Sequence, residues 1–203
     1  MLQYFEYLLS KLIKKMHLRA ILNCEIPKTS NVCSGSHLVN VKMGKYSDIG
    51  YDCSITNATL GSFCSLGANI KIGGANHTVE WVSTSQVFNK NKDSLKKKFS
   101  QHAFEPFLST KIGNDVWIGD NVMIKAGVTI GDGVVIGMGS IVTKDISSFQ
   151  IWAGNPARLI KNRFDDISIL KLSTIKWWEW DDYQIEQNAI YFNNLKYFLN
   201  KVE

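Results

Sequence analysis

The segment Asn76-His77-Thr78-Val79-Glu80-Trp81-Val82-Ser83-Thr84 gathers an imidazole, a carboxylate, an amide and three hydroxyls within nine residues. An unperturbed imidazole titrates near pH ~6.5, so at neutral pH its free nitrogen can take a proton from an acceptor hydroxyl or amine. Of the four histidines, His17, His37, His77 and His102, His77 has the best context, because it stands where the chain leaves a regular pattern. His102, later in the same stretch, is the runner-up base. Glu80 either orients His77 or sits on the surface with Trp81 packed beneath it, and Asn76 is a second candidate support. Trp81, Ser83 and Thr84, followed by Ser85, Gln86 and Phe88, mix rings, hydroxyls and an amide that suit stacking on, and hydrogen bonding to, a sugar.

Other chemistries find less support. The histidines lie at least 20 residues apart, so the close histidine pairs of a β-helix carbonic anhydrase are missing and no metal is expected. Cys24, Cys33, Cys53 and Cys64 fit no common zinc spacing, and they are read as reduced, structural thiols. No Gly-x-Ser-x-Gly elbow announces a serine nucleophile, and no cysteine has an activating neighbour. The net charge of +5 is dispersed and not interleaved with stacking aromatics, which argues against nucleic acid and favours a phosphorylated small molecule. The Lys96-Lys97-Lys98 run reads as a solvated loop tip that could attract an anionic acceptor.

What positions the histidine is a repeat of six. Aliphatic residues recur at Ile112, Ile118, Ile124, Ile130, Ile136 and Val142, and four residues after each of the first five comes Val116, Val122, Val128, Val134 or Ser140. Helices show period 3.6 and half-buried strands period 2, so this is a solenoid in which three hexads close one triangular coil. Gly, Asn or Asp beside the small position tolerates the corner dihedrals. An earlier block, Met43, Ile49, Ile55, then Leu60, Leu66 and Ile72, slips by one residue after Ile55, with Ser47, Cys53, Thr59, Cys64, Ile70 and Asn76 as its inward small positions. Between the blocks, a stretch at about residues 74–111 matches no hexad and must leave the prism as a loop, where function is to be sought first. A flat ice-binding array would show regular Thr and no such insertion.

The repeat is placed at residues 38–153, with an N-terminal amphipathic helix over 1–22 and a helical segment over 154–203. In the first, Phe5, Leu8, Leu9, Leu12, Ile13 and Met16 form a stripe, with Lys11, Lys14, Lys15 and Arg19 among the polar positions. That helix either closes the open end of the prism or packs on a neighbouring subunit; a peripheral membrane contact, as in a lipid-directed acyltransferase, is the alternative. Gly154-Asn155-Pro156-Ala157 stops the repeats, and the chain then turns helical, with Asp181-Asp182 as a cap. Trp177, Trp178 and Trp180 read as packing in preference to a ligand platform. At 203 residues and 45% hydrophobic content one core is expected, no apolar run approaches the ~20 residues of a membrane span, and the chain reads as cytoplasmic.

The hexads, the Asn76-His77 pair with Glu80-Trp81-x-Ser83-Thr84, Val116-Trp117-Ile118-Gly119, Val142-Thr143-Lys144-Asp145, Gly154-Asn155-Pro156-Ala157, Arg163-Phe164-Asp165 and Lys176-Trp177-Trp178 together resemble the xenobiotic branch of the hexapeptide-repeat acetyltransferases. That branch includes chloramphenicol and streptogramin acetyltransferases and sugar O-acetyltransferases of surface-polysaccharide synthesis. The resemblance spans roughly residues 40–190. It implies a mainly β chain wound as a left-handed parallel β-helix, with a long inserted loop, an N-terminal helix and a C-terminal helical tail.

The resemblance also implies direct transfer of an acetyl group from acetyl-CoA to an acceptor hydroxyl, with His77 as general base and no acyl-enzyme. The expected acceptor is a saccharide or polysaccharide precursor; an antibiotic hydroxyl or a sugar amine is the alternative. The donor positions carried over are Trp117, Gly137, Met138, Gly139, Thr143 and Lys144, with Arg158, Lys161 and Arg163 facing the CoA phosphates. Relatives often have a small residue where Met138 stands, and the three basic residues also read as a solvated helix face. Because histidine loop and donor groove come from adjacent chains in that family, a homotrimer is implied.

Overall fold

Ile112, Ile118, Ile124, Ile130, Ile136 and Val142 are all buried, as period six demands of a chain that turns a corner every sixth residue. The structure, a computed structural model, describes residues 2–91 and 95–202. Residue 1 of the N-terminal segment, residues 92–94 of the insertion, residue 203 and the side chain of Lys15 lie outside the described residues. Short parallel strands stack into a left-handed β-helix of three faces around one aliphatic column. One face runs from Ala20–Leu22 through Lys71–Gly73 and Met123–Lys125 to Ile141–Val142; another runs from Asn31–Val32 through Trp117–Ile118 and Val135–Ile136 to Gln150–Gly154. The third joins the ends of the long strands His37–Met43 and Ser54–Leu60 to Thr110–Ile112 and Thr129–Ile130.

The slip in the first block has a structural cause. Before the insertion each coil takes 17 residues, as in Ala20 opposite His37 and His37 opposite Ser54; after it a coil takes 18, as in Trp117 opposite Val135, until the last shortens to 16, as in Val135 opposite Ile151. The missing residue lies at one corner, where Asn23, Asn40 and Asn57 adopt left-handed φ of 57°, 54° and 49° and their amides form a ladder at 3.2 and 2.8 Å. Losing one residue there moves the interior position, so Ala58 is buried and Thr59, expected inward, is exposed.

Successive corners after the insertion also use a left-handed residue, Asp115, Asn121, Gly127, Gly133 and Gly139 following one another at intervals of six. Aligned coil over coil, these residues make three edges. Along one edge stand Tyr46, Phe63, Asp115, Gly133 and Phe149, the last four each with its N–H bonded to a carbonyl of the coil below. Aromatic residues rarely take positive φ, yet Tyr46, Phe63 and Phe149 do so at 58°, 61° and 58°. Their rings receive the C-terminal tail: Phe63 lies 4.8 Å from Trp177, and Phe149 lies 6.3 Å from the buried Trp178. The tryptophans are therefore packing residues of a second core that includes Leu172, Phe198 and Leu199.

The tail begins differently from expectation. After Gly154 the chain does not turn helical at once; Gln150–Gly154 folds back on Ala157–Asn162 as an antiparallel hairpin with Asn155-Pro156 in its turn, where the missing N–H of proline costs no ladder bond. Helices follow at Asp166–Ile175, Asp182–Asn188 and Leu195–Val202. Asp181 caps the second of these reciprocally with Gln184, while Asp182 accepts from Tyr46 Oη at 2.6 Å and pins the tail to the first corner of its edge.

The N-terminal helix, α1, covers Leu2–Met16. It does not close the prism with its apolar stripe, all of which is exposed. Among the described residues it is tied down at its C-terminal end, by Ser34 Oγ donating to the Lys14 carbonyl at 2.9 Å, Lys14 over the Tyr51 ring and, just past the helix, Gly35 N–H donating to the His17 carbonyl.

Small polar residues inside the corners satisfy the turning backbone. Ser47 Oγ accepts from Cys64 N–H and donates to the Gly61 carbonyl, and Cys64 Sγ lies 3.1 Å from the Gly113 carbonyl in the equivalent place. Burial first, against lesser help from the Val116 backbone and Ser47, raises the Cys64 thiol from 9.0 to about 11. Because the folded value is the higher, the protonated thiol stabilises the fold below the unfolded value, and this is lost as pH rises from about 9 to about 11. Wild type should therefore lose stability in urea melts across that window, and Cys64→Ser should lose measurably less. An identical alkaline slope in both proteins would refute the assignment.

Candidate active site

The insertion leaves the prism where two glycines release it. Gly73 and Gly74 hold φ of 90° and 101°, and a Cβ on Gly73 would lie 2.3 Å from the Thr56 carbonyl oxygen, so no other residue fits that exit. Ser65 pairs with Trp117, a step of 52 residues, 34 more than an 18-residue coil. The loop closes at its neck through Asn76 N–H to the Pro106 carbonyl at 2.8 Å and is braced by Asn91 Nδ2 on the Phe104 carbonyl. Lys98 reaches back to the Gln86 carbonyl at 2.8 Å, so this lysine is part of the loop frame.

Within that frame the chain reverses over Thr78–Ser83, with the buried Thr78 hydroxyl donating to the Ser83 carbonyl. The reversal carries the Thr84 carbonyl to 3.1 Å from His77 Nδ1. A carbonyl oxygen only accepts, so the contact assigns the ring proton to Nδ1 and leaves Nε2 as a free acceptor. Thr84 thus does through its backbone what Glu80 was expected to do through its carboxylate. His77 lines a cleft of about 50 Å³ with Asn76, Thr84, Gln86, Asn89 and Phe104. Asn76 Nδ2 is buried there without a hydrogen-bond partner among the described residues. A buried, unpaired donor costs about 1–3 kcal/mol, which marks it as a group awaiting an acceptor atom.

Glu80, Trp81, Ser83, Phe88 and His102 instead line a separate open cavity of about 740 Å³. There the Trp81 ring stands edge-on to His102 at 5.6 Å. The structure therefore separates the two candidate bases: His77 faces the cleft with the unpaired amide, and His102 packs against the tryptophan. Asn89 and Asn91 escaped sequence reading, since nothing in their local pattern distinguishes them from ordinary loop asparagines.

The expected donor positions gather on the upper coils. Trp117 pairs with Val135, and the turn Gly137-Met138-Gly139 follows directly, with Met138 71% exposed and open space where a Cβ on Gly139 would stand. Ser140 Oγ ties this turn to the hairpin, donating to the Gly137 carbonyl and accepting from Gly154 N–H at 3.1 Å. Arg158 and Lys161 are exposed on the hairpin strand above, not on a helix face. Thr143 and Lys144 are exposed at the next corner, two coils above the root of the insertion, because Gly73 pairs with Lys125 and Met123 with Ile141.

Arg163 departs from this group. Its guanidinium meets Asp115 at 3.0 Å and the Gly133 carbonyl at 2.7 Å and lies over the Phe164 ring, so it clamps the tail to the prism edge. Burial raises the Asp115 carboxyl above its ordinary range, and Arg163 only partly offsets that. Both side chains keep a quarter or more of their surface in solvent, at 25% and 30%, so Arg163→Ala should cost about 2 kcal/mol, less than a fully buried pair. Chemical denaturation should show that loss with CoA affinity unchanged; a stable variant with weakened CoA binding would restore the phosphate role.

Residues 109–144 match the family described as Bacterial transferase hexapeptide (six repeats). A chloramphenicol acetyltransferase of Escherichia coli is 37% identical over 168 residues, covering 73% of this chain and 80% of that protein. A probable macrolide acetyltransferase of Lysinibacillus sphaericus is 38% identical over 133 residues, covering 64% of this chain and 73% of that one. Among solved structures, a maltose O-acetyltransferase from Clostridium difficile superposes with a TM-score of 0.56 at 30% identity over 71% of each chain. The prism, the histidine-bearing insertion and these relatives place the chain in the hexapeptide-repeat acetyltransferases, beside the chloramphenicol acetyltransferases.

Proposed function

We propose that the protein transfers an acetyl group from acetyl-CoA to a hydroxyl of a saccharide or polysaccharide precursor, with His77 as general base. The observation that carries the reading is the Nδ1 contact with the Thr84 carbonyl, which fixes the tautomer and leaves Nε2 basic beside the unpaired amide of Asn76. The donor fits the residues present: the open space at Gly139 admits a slender chain against the backbone, and Arg158, Lys161 and Lys144 offer exposed cations to phosphates.

Acetyl-CoA supplies an activated thioester. Nε2 of His77 takes the proton of the acceptor hydroxyl as its oxygen bonds to the thioester carbonyl carbon, and the imidazolium returns that proton to the departing thiolate sulfur. No acyl-enzyme is required. The His77 cleft is lined by insertion residues alone, with none of the donor positions, which supports a site completed by a neighbouring copy in a homotrimer. Four free cysteines, two of them buried, suit the reducing cytoplasm.

A second acceptor class has its own support. The cavity with Trp81 and Phe88 offers aromatic surface, and relatives near 37% identity are chloramphenicol acetyltransferases, so a xenobiotic hydroxyl is the other reading. Thiol release from acetyl-CoA, measured against sugars, nucleotide sugars, saccharide fragments and chloramphenicol, separates them. Sugar-dependent release establishes the first and chloramphenicol alone the second; no CoA binding would reject acetyl transfer.

A further inference from the structure

The prism and its insertion do not use α1. On a helix of 100° per residue, Leu2, Phe5, Leu8, Leu9, Leu12, Ile13 and Met16 fall within an arc of about 140°. Each is at least 44% exposed, and among the described residues the hydrogen bonds from the helix to the prism are at its last turn. Beyond the helix the same end of the molecule adds the exposed Leu18 and, on the first strand, the exposed Ile21 and Leu22. These are exposed bulky apolar side chains concentrated at the N-terminal end of the molecule.

The charges choose the occupant. The opposite arc carries Lys11 and Lys14, with Lys15 in the same stretch, against the single acidic residue Glu6 of the helix; Lys14 also reaches Asp52 and the Tyr51 ring, and Arg19 beyond the helix donates to the Val32 carbonyl. Bundling copies of this helix through the apolar arc would turn Lys11 and Lys14 outward to solvent, where the contact makes no use of their charge. An anionic lipid surface instead takes the apolar arc into its headgroup boundary and attracts the lysines. Tyr4 and Tyr7, both exposed beside the lysines, are side chains that favour that boundary. No described helix is long and apolar enough to cross a membrane, so the contact is an in-plane one.

We infer that α1 is a peripheral membrane anchor that lays the N-terminal end of the prism on an anionic lipid surface. The inference stands independently of the acetyl-transfer reading, since it draws on no residue of the insertion or donor groove.

The test is co-sedimentation of the full-length protein with phosphatidylcholine vesicles, with and without phosphatidylglycerol. Wild type should pellet with the anionic vesicles, release at high salt, and stay in solution with phosphatidylcholine alone. The double substitution Leu9→Asp with Leu12→Asp should weaken partition at least about tenfold while leaving the thermal melt unchanged. Lys11→Glu, which preserves the apolar arc, should reduce the preference for anionic lipid. Absence of binding to anionic vesicles would overturn the inference, as would equal binding by the double variant. A fall in particle mass by light scattering in the double variant, with no vesicle binding by wild type, would make the stripe a seam between copies.

Discussion

Replacing His77 by alanine should lower kcat/KM for acetyl transfer by about 10³-fold, within the range that general-base assistance supplies. The imidazole is exposed and, among the described residues, makes one hydrogen bond, to the Thr84 carbonyl, so its removal opens no cavity and the melting temperature should hold. CoA affinity should also hold, because the donor positions lie on the upper coils. His77→Gln is the sharper control, since an amide can still donate to Thr84 but cannot accept a proton near neutral pH. His102→Ala, which removes a wall of the Trp81 cavity, should act on KM for the acceptor more than on kcat. Full activity in His77→Ala with any accepted substrate would end the proposed mechanism, and a collapse in His102→Ala of kcat alone would transfer the role.

Mixing two inactive proteins should produce an active one. His77→Ala lacks the base, and Met138→Trp fills the donor turn with a ring at an exposed position. If each site takes its histidine from one copy and its groove from the next, random reassembly of equal amounts makes about one interface in four intact. The mixture, after mild dissociation and reassembly, should therefore recover about a quarter of wild-type activity from two near-null components. No recovery after reassembly would show that one chain holds both halves of the site.

Much of this molecule is legible in one dimension because its core has a one-dimensional period. Each hexad buries its own aliphatic residue against the hexads one coil above and below, so Ile112 to Val142 declare the solenoid, and the break at Gly73 declares the insertion. The left-handed corners are legible in part, since Asn, Asp and Gly advertise positive φ. Tyr46, Phe63 and Phe149 do not, and only the stacked coils reveal that three strained aromatics form one edge for the tail.

The spacing of residues along the chain settled the fold, the place of the loop and the candidacy of His77, because local repetition and turn chemistry act over a few residues. Folding in three dimensions decided the rest. It brought a backbone carbonyl, not the Glu80 carboxylate, to His77 Nδ1, drew Arg163 away to Asp115, and left the stripe of α1 uncovered. Such pairings join segments whose separation in sequence carries no period, and carbonyl groups, which every residue owns, leave no mark in the letters.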